Sequence, residues 1–180
     1  CDLSGFPSQK VFGSGTALDT ARLRYLLGDY LKVDPRNIHA YVIGEHGDSE
    51  FVPWSQALLA TKPILELARE TKYHISPARL EEEVRTAAYK IIEAKKATYY
   101  GIGMALARIT KAVLGDEHSV LTVSVKADGL YGQRDVFTGM PAIIGQTGIQ
   151  GILPLSLTEE EQDKLNASCD TLCRSYEGII

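Results

Sequence analysis

Apolar positions repeat along the chain with two periods. Leu18, Leu23, Leu26, Leu27, Tyr30 and Leu31 fall mostly on one stripe of a 3.6-residue period, which predicts a helix ended by Asp34-Pro35. Val11-Phe12 is expected to end a short strand before it, and Thr16 with Asp19 resembles a capping box, with Asp in place of the usual Glu or Gln. From Ile38 to Gly44 the run is apolar, β-branched and aromatic, which predicts a buried strand leading into a polar loop over 45–50. Val52-Pro53 makes the start of the next apolar stretch irregular, and Pro63 is placed in the first turn of a short helix reaching Glu70. Ser76-Pro77 opens the longest helical segment, running to about Gly115; Glu81, Glu82 and Glu83 favour its positive end, and Gly101 and Gly103 predict a kink or a close contact near residue 98. Ser119 to Lys126 alternates as a strand. Tyr131-Gly132, Thr138-Gly139 and Thr147-Gly148 punctuate a meander ending near Leu155. Thr158 and Glu161 form a capping box for a last helix, with Leu165, Cys169, Leu172, Cys173 and Tyr176 on one stripe. Helices segregated from a largely antiparallel sheet define an α+β domain.

Composition narrows the functional classes. The 180 residues suit one domain, 1–180, and 44% hydrophobic residues are enough to offset the entropy of ordering. With 19 Lys+Arg against 23 Asp+Glu, the net charge of −4 argues against nucleic acid as a partner. Nor does any apolar run approach the roughly 20 residues of a membrane span. Three cysteines cannot close a disulfide framework, and Cys169 and Cys173 suit core packing; a reducing, cytoplasmic setting follows. The opening Cys1-Asp2-Leu3 lacks an initiator Met, which makes a fragment or processed piece one expectation.

Gly13-Ser14-Gly15 between a strand and a helix imitates a dinucleotide fingerprint, but Leu18 stands where its third glycine belongs and no βαβ unit follows. Other residues carry more chemistry. Asp19 and Arg22 share a helix face, as a functional pair or as an ordinary surface ion pair. His46 lies in a loop directly after a buried strand, either a presented acid–base group or a solvated histidine. Thr98 sits at the expected helix break, or simply bonds its own helix, and Arg24 and His39 are surface cations unless an anion joins them. Taken together, a carboxylate that orients a histidine and an arginine that forks a carboxylate suit a small hydroxy or keto acid.

Three segments carry a resemblance: Gly13-Ser14-Gly15-Thr16-Ala17-Leu18-Asp19-Thr20-Ala21-Arg22, Gly44-Glu45-His46-Gly47-Asp48-Ser49-Glu50, and Lys95-Lys96-Ala97-Thr98-Tyr99-Tyr100-Gly101. In order and spacing they resemble the L-lactate dehydrogenases of the allosteric bacterial type, over that family's C-terminal, substrate-binding half. The resemblance implies that His46 protonates pyruvate as hydride arrives from NADH, that Asp19 supports the imidazolium and that Arg22 clamps the substrate carboxylate. It further implies that Thr98 lines the substrate pocket, that Ile102 packs on the nicotinamide ring and that Ser14 lies near the carboxamide end of NAD. Arg24 and His39 match positions that bind fructose 1,6-bisphosphate between subunits of a homo-oligomer, expected to be a tetramer. The NAD-binding Rossmann domain and the loop that chooses lactate over malate are absent from this chain, so by itself it is expected to be incomplete and inactive. Malate dehydrogenase is the runner-up, with Glu45 against it, since malate enzymes look more like Gly-Gly-His at that point. A non-catalytic C-terminal module for oligomerisation is the other alternative.

Overall fold

A computed structural model of the chain describes residues 1–70 and 75–177. Five helices and six strands make up the described fold. Helix α1 spans Ala17–Leu31, followed by the two-residue strands β1 (Ile38–His39), β2 (Leu58–Leu59) and β3 (Lys62–Pro63). Next come α2 (Ile64–Glu70), α3 (Pro77–Lys95) and α4 (Tyr100–Leu114), then β4 (Ser119–Lys126), β5 (Phe137–Gly145), β6 (Gly148–Ile152) and α5 (Glu159–Glu177). The strands form two antiparallel sheets, β1-β2-β3 and β4-β5-β6, in keeping with an α+β fold. Val123 faces Met140 across the long ladder, and a register shift between Ile143 and Ile144 bends β5 where it meets β6.

The segment 38–44 explains how two cores meet. Its ladder ends at His39, well short of the expected strand. Ala40 and Val42 pack with Leu23 and Leu27 of α1, Trp54, Ile64 and Leu80. Ile43 turns the other way, onto Val123, Met140 and Ile144 of the sheet and Leu165 of α5. Both faces of an extended segment are thus covered, so its sequence is apolar without alternation. Val42 has no strand partner, and hydroxyls replace one: its N–H donates to Thr20 Oγ1 at 2.9 Å and its carbonyl accepts from Thr16 Oγ1 at 2.6 Å. Thr122 Oγ1 of β4 donates to Thr20 Oγ1 at 2.8 Å, tying α1 to the long sheet as well. This answers the complete accounting that buried backbone groups demand.

Several local expectations are corrected. Thr16 is the N-cap residue of α1 but its hydroxyl makes no capping bond, because it is spent on Val42 and Asp19 is drawn into the site. Helix α1 ends at Leu31 with Lys32 in the left-handed region, before Asp34-Pro35; Asp34 instead caps the short turn Pro35–Asn37 by accepting from Arg36 N–H. The helical segment from Ser76 is two helices. Its break covers residues 96–99, as expected near residue 98, and opens at left-handed Lys96; Gly101 and Gly103 themselves sit inside α4. Gly101 serves close approach: a Cβ there would stand 3.2 Å from a Leu18 methyl. Val11-Phe12 ends no strand; Gly13 makes one isolated bridge to Ser124. Thr138-Gly139 lies within β5 rather than at a turn, and Pro63 pairs in β3 just before α2. On α5, Thr158 and Glu161 exchange the two bonds of the capping box, at 3.0 and 3.3 Å. Cys169 is buried, Cys173 is half-buried and Tyr176 is exposed, so the expected stripe loses its last member.

Candidate active site

The first turn of α1 points Asp19 into the junction of the two cores, where the residue is 1% exposed. A buried carboxylate is costly unless paired, and here both oxygens face cations. Arg22 Nη1 donates to Asp19 Oδ1 at 2.8 Å across one helical turn. His46 Nδ1 stands 2.7 Å from Asp19 Oδ2, an ion-pair contact in which the ring N–H is not aimed along a hydrogen-bond axis. Asp19 therefore bridges a guanidinium and an imidazole. With Nδ1 on the carboxylate, Nε2 is the nitrogen left to meet a substrate.

His46 reaches this position because the chain turns sharply at Gly44, whose φ of +95° strongly favours glycine. Gly44 and Gly139 exchange two backbone hydrogen bonds, at 2.9 and 2.7 Å, which fixes the loop to β5. The imidazole is about half exposed while its carboxylate partner is not, the disposition of a group that trades protons with a ligand. The contact with Asp19 first, and with Glu50 second, pushes the His46 pKa up to about 10 against the opposing effect of burial. At neutral pH this histidine carries its proton.

Sequence reasoning missed Glu50 and Arg85. Glu50 is buried, with Oε2 3.9 Å from His46 Nδ1, and burial raises its carboxyl above the usual range. Arg85 on α3 donates from Nη2 to the Glu50 carbonyl at 3.4 Å and from Nη1 to Glu82. One signal was available: Glu50 lies four residues after His46 and opens the apolar run Phe51-Val52. Asp19, His46 and Glu50 offer donor atoms within 4.8 Å of one another, a set a divalent cation accepts, but Arg22 already supplies positive charge to Asp19.

The other predicted residues belong to the elements that follow. Thr98 is half-buried in the connection between α3 and α4, Ile102 is half-buried in the first turn of α4, and Ser14 is half-buried in the turn before α1. Among the described residues, none of the three is hydrogen-bonded by its side chain to Asp19, Arg22 or His46. Arg24 leans away from Arg22: Nε donates to the Ala40 carbonyl at 3.0 Å and the guanidinium stacks 4.8 Å from the Tyr41 ring centroid. His39 is exposed on β1, the residue before Ala40.

This α+β domain presents a buried carboxylate between an arginine and a proton-bearing histidine, an arrangement able to exchange a proton beside a cation. The chain belongs to the lactate/malate dehydrogenase family, as its alpha/beta C-terminal domain, matching over residues 16–179. It is 51% identical to the L-lactate dehydrogenase of Geobacillus stearothermophilus over 94% of this chain and 54% of that protein. To L-lactate dehydrogenase 2 of Bacillus anthracis it is 52% identical over 98% of this chain and 57% of that protein. The chain thus spans about half the length of the curated relatives it matches. A crystal structure of a lactate dehydrogenase from a Medee basin deep-sea metagenome library superposes with a TM-score of 0.94 at 46% identity, covering 98% of this chain and 57% of that one. The minor L-lactate dehydrogenase of Enterococcus mundtii, in its ligands-bound form, gives 0.93 at 42% identity over 99% of this chain and 58% of its own.

Proposed function

We propose that this domain is the substrate-binding, proton-transferring half of an NAD-dependent L-lactate dehydrogenase that interconverts pyruvate and L-lactate. The carrying observation is the 2.7 Å contact of Asp19 with His46 Nδ1, with Arg22 on the other oxygen of the same carboxylate. Arg22 holds the substrate carboxylate by two parallel hydrogen bonds. His46 donates its proton from Nε2 to the carbonyl oxygen in reduction, and takes it back from the hydroxyl in oxidation. Asp19 keeps the imidazole turned and stabilises its cation while the proton is in place. Thr98 borders the substrate and limits its size. NAD supplies the hydride acceptor or, reduced, the donor; this chain offers it an apolar surface at Ile102 and a polar one at Ser14, and the greater part of its binding belongs to a Rossmann domain outside residues 1–180. Ile102 is half-buried in the first turn of α4.

The reaction is placed in the cytoplasm at the fermentative end of glycolysis, in keeping with three free cysteines. No helix among the described residues is long and apolar enough to cross a membrane. The assembly is a homo-oligomer, a tetramer, and the exposed Tyr100, Met104 and Leu106 on α4 support burial against other protein. Fructose 1,6-bisphosphate is the effector, held between subunits by Arg24 and His39. Arg24 anchors to the Ala40 carbonyl beside His39, and both elements run into the site, one carrying Arg22 and the other leading to His46.

The test is NADH oxidation by the full-length protein with pyruvate and with oxaloacetate. Preference for pyruvate is expected; preference for oxaloacetate overturns the lactate reading, and inactivity with both overturns the enzyme reading. Activation by the bisphosphate, lost in His39→Ala, is the outcome expected of the effector site. No activation of the wild type removes it.

A further inference from the structure

A third element grips the loop that carries His46. Ser168 lies in the middle of α5, 0% exposed, and its Oγ accepts the Glu45 backbone N–H at 2.7 Å across 123 positions of sequence. The same oxygen lies 3.1 Å from Ser49 Oγ, at the far end of the loop. Ser49 in turn donates from its hydroxyl, and from its N–H at 3.3 Å, to the Glu45 carboxylate. The two ends of the loop around His46 are therefore joined to each other through Glu45 and Ser49, and joined to α5 through one hydroxyl. The approach is close: a Cβ placed on Gly44 would stand 2.5 Å from Ser168 Oγ, so the glycine leaves the room that the serine fills.

This grip differs from the one that holds Asp19 and Arg22. Those side chains belong to α1, which Thr16 and Thr20 tie to Val42, on the other side of Gly44. Moving the loop displaces the histidine and leaves the arginine where it is.

We propose that Ser168 is a positioning residue for His46, an anchor on α5 that fixes the backbone on either side of the histidine so that the imidazole stays on Asp19. It rests on the role given to His46 above. A buried hydroxyl accepting a backbone N–H is itself satisfied and rigid, and its loss leaves a donor at Glu45 without a partner. A loop freed by even a fraction of an ångström misaligns proton transfer, whose rate depends steeply on geometry.

The experiment uses the full-length protein with Ser168→Ala and Ser168→Cys, the latter keeping the shape with a weaker acceptor. In Ser168→Ala, turnover with pyruvate and NADH is expected to fall between about 10- and 100-fold, while KM for pyruvate, set by Arg22, changes less than about twofold. Ser168→Cys is expected to fall between wild type and Ser168→Ala. Independently of activity, hydrogen exchange measured by mass spectrometry on the peptide covering Gly44 to Ser49 is expected to accelerate about tenfold in Ser168→Ala, with peptides of β4 and α1 unchanged. Turnover within twofold of wild type, or unchanged loop exchange, overturns the anchor. Accelerated exchange over the whole domain with KM and turnover worsening together also overturns it, since that marks a general structural role. If wild type itself lacks activity with pyruvate, the proposed function fails, and the exchange result alone decides whether Ser168 fixes the loop.

Discussion

The stretch from Thr16 to Glu50 and the helix pair α3–α4 obey opposite burial rules. In the first, polar groups lie inside: Thr16, Asp19, Thr20 and Glu50 are all buried, each with a named neighbour. In the second, apolar groups lie outside. Ile91 and Ile92 at the end of α3, and Tyr100, Met104 and Leu106 on α4, face solvent. Buried polar groups cost free energy unless satisfied and are kept where they hold geometry. Exposed apolar groups cost solubility where they form a patch, and a patch is kept where another surface covers it. Under the proposed function, the first region holds the reacting groups and the second is covered by other protein.

Removing the chemical centre should break this contrast most visibly. In the full-length protein, His46→Ala is expected to lower turnover at least about 10²-fold, equivalent to about 2.7 kcal/mol of barrier; near-normal steady-state rates would refute the assignment. Thr20→Val attacks the scaffold instead. It leaves the Val42 N–H without its 2.9 Å partner and removes the acceptor of Thr122 Oγ1. A loss of about 2 kcal/mol in urea unfolding is expected, and an unchanged midpoint would mean that the hydroxyls only fill space. Arg22→Lys keeps the charge but loses the fork, so KM for pyruvate should rise about tenfold. An unchanged KM would make Arg22 a partner of Asp19 only.

How far the sequence revealed all this depends on the range of the interaction. Asp19, Arg22 and His46 were legible because long ordered motifs carry the family resemblance; spacing alone left an ordinary surface reading open for each. Strand β4 and the capping box of α5 were legible because alternation and capping are local signals. What stayed hidden was decided by distant residues. The break near residue 98 was legible, but not that left-handed Lys96 would open it or that Gly101 would sit inside α4 against Leu18 of another helix. The strand expected from Ile38 to Gly44 lost its ladder because α1 hydroxyls serve Val42 instead. Ser168 carried no local signal at all: a serine within a helix announces nothing until the fold brings Glu45 to it. Glu50 and Arg85 meet only after α3 crosses the loop.

The electrostatic side of the comparison has a pH signature. His46 has its pKa raised from 6.5 to about 10 by Asp19 first and Glu50 second. A cation with a raised folded pKa contributes stability that is fully present below about 6.5 and is lost as pH rises through about 10. Half exposure of the ring and solvent screening reduce its size. Thermal melts of the wild type between pH 6 and 10.5 should therefore decline more steeply than those of His46→Gln, which removes this titration while leaving lysines and tyrosines in place. Parallel curves would show that the contact with Asp19 does not bind the proton more tightly in the folded state.

The smallest effect on stability belongs to the exposed helix pair, and it sharpens the contrast from the other side. Met104 is 73% exposed on α4. Replacing it with Ser deletes no core contact, so unfolding should change by less than about 0.5 kcal/mol when measured on dissociated protein. Its consequence lies in association. If α4 is covered by other protein in the assembly, as proposed, Met104→Ser removes apolar area from that contact and shifts the full-length protein toward smaller species in light scattering at a given concentration. The two measurements must diverge, with folding spared and assembly weakened. Equal losses in both would place Met104 in the domain's own structure, and no loss in either would leave its exposure without a binding purpose. Thr20→Val predicts the reverse divergence, a weakened fold with no assembly surface touched.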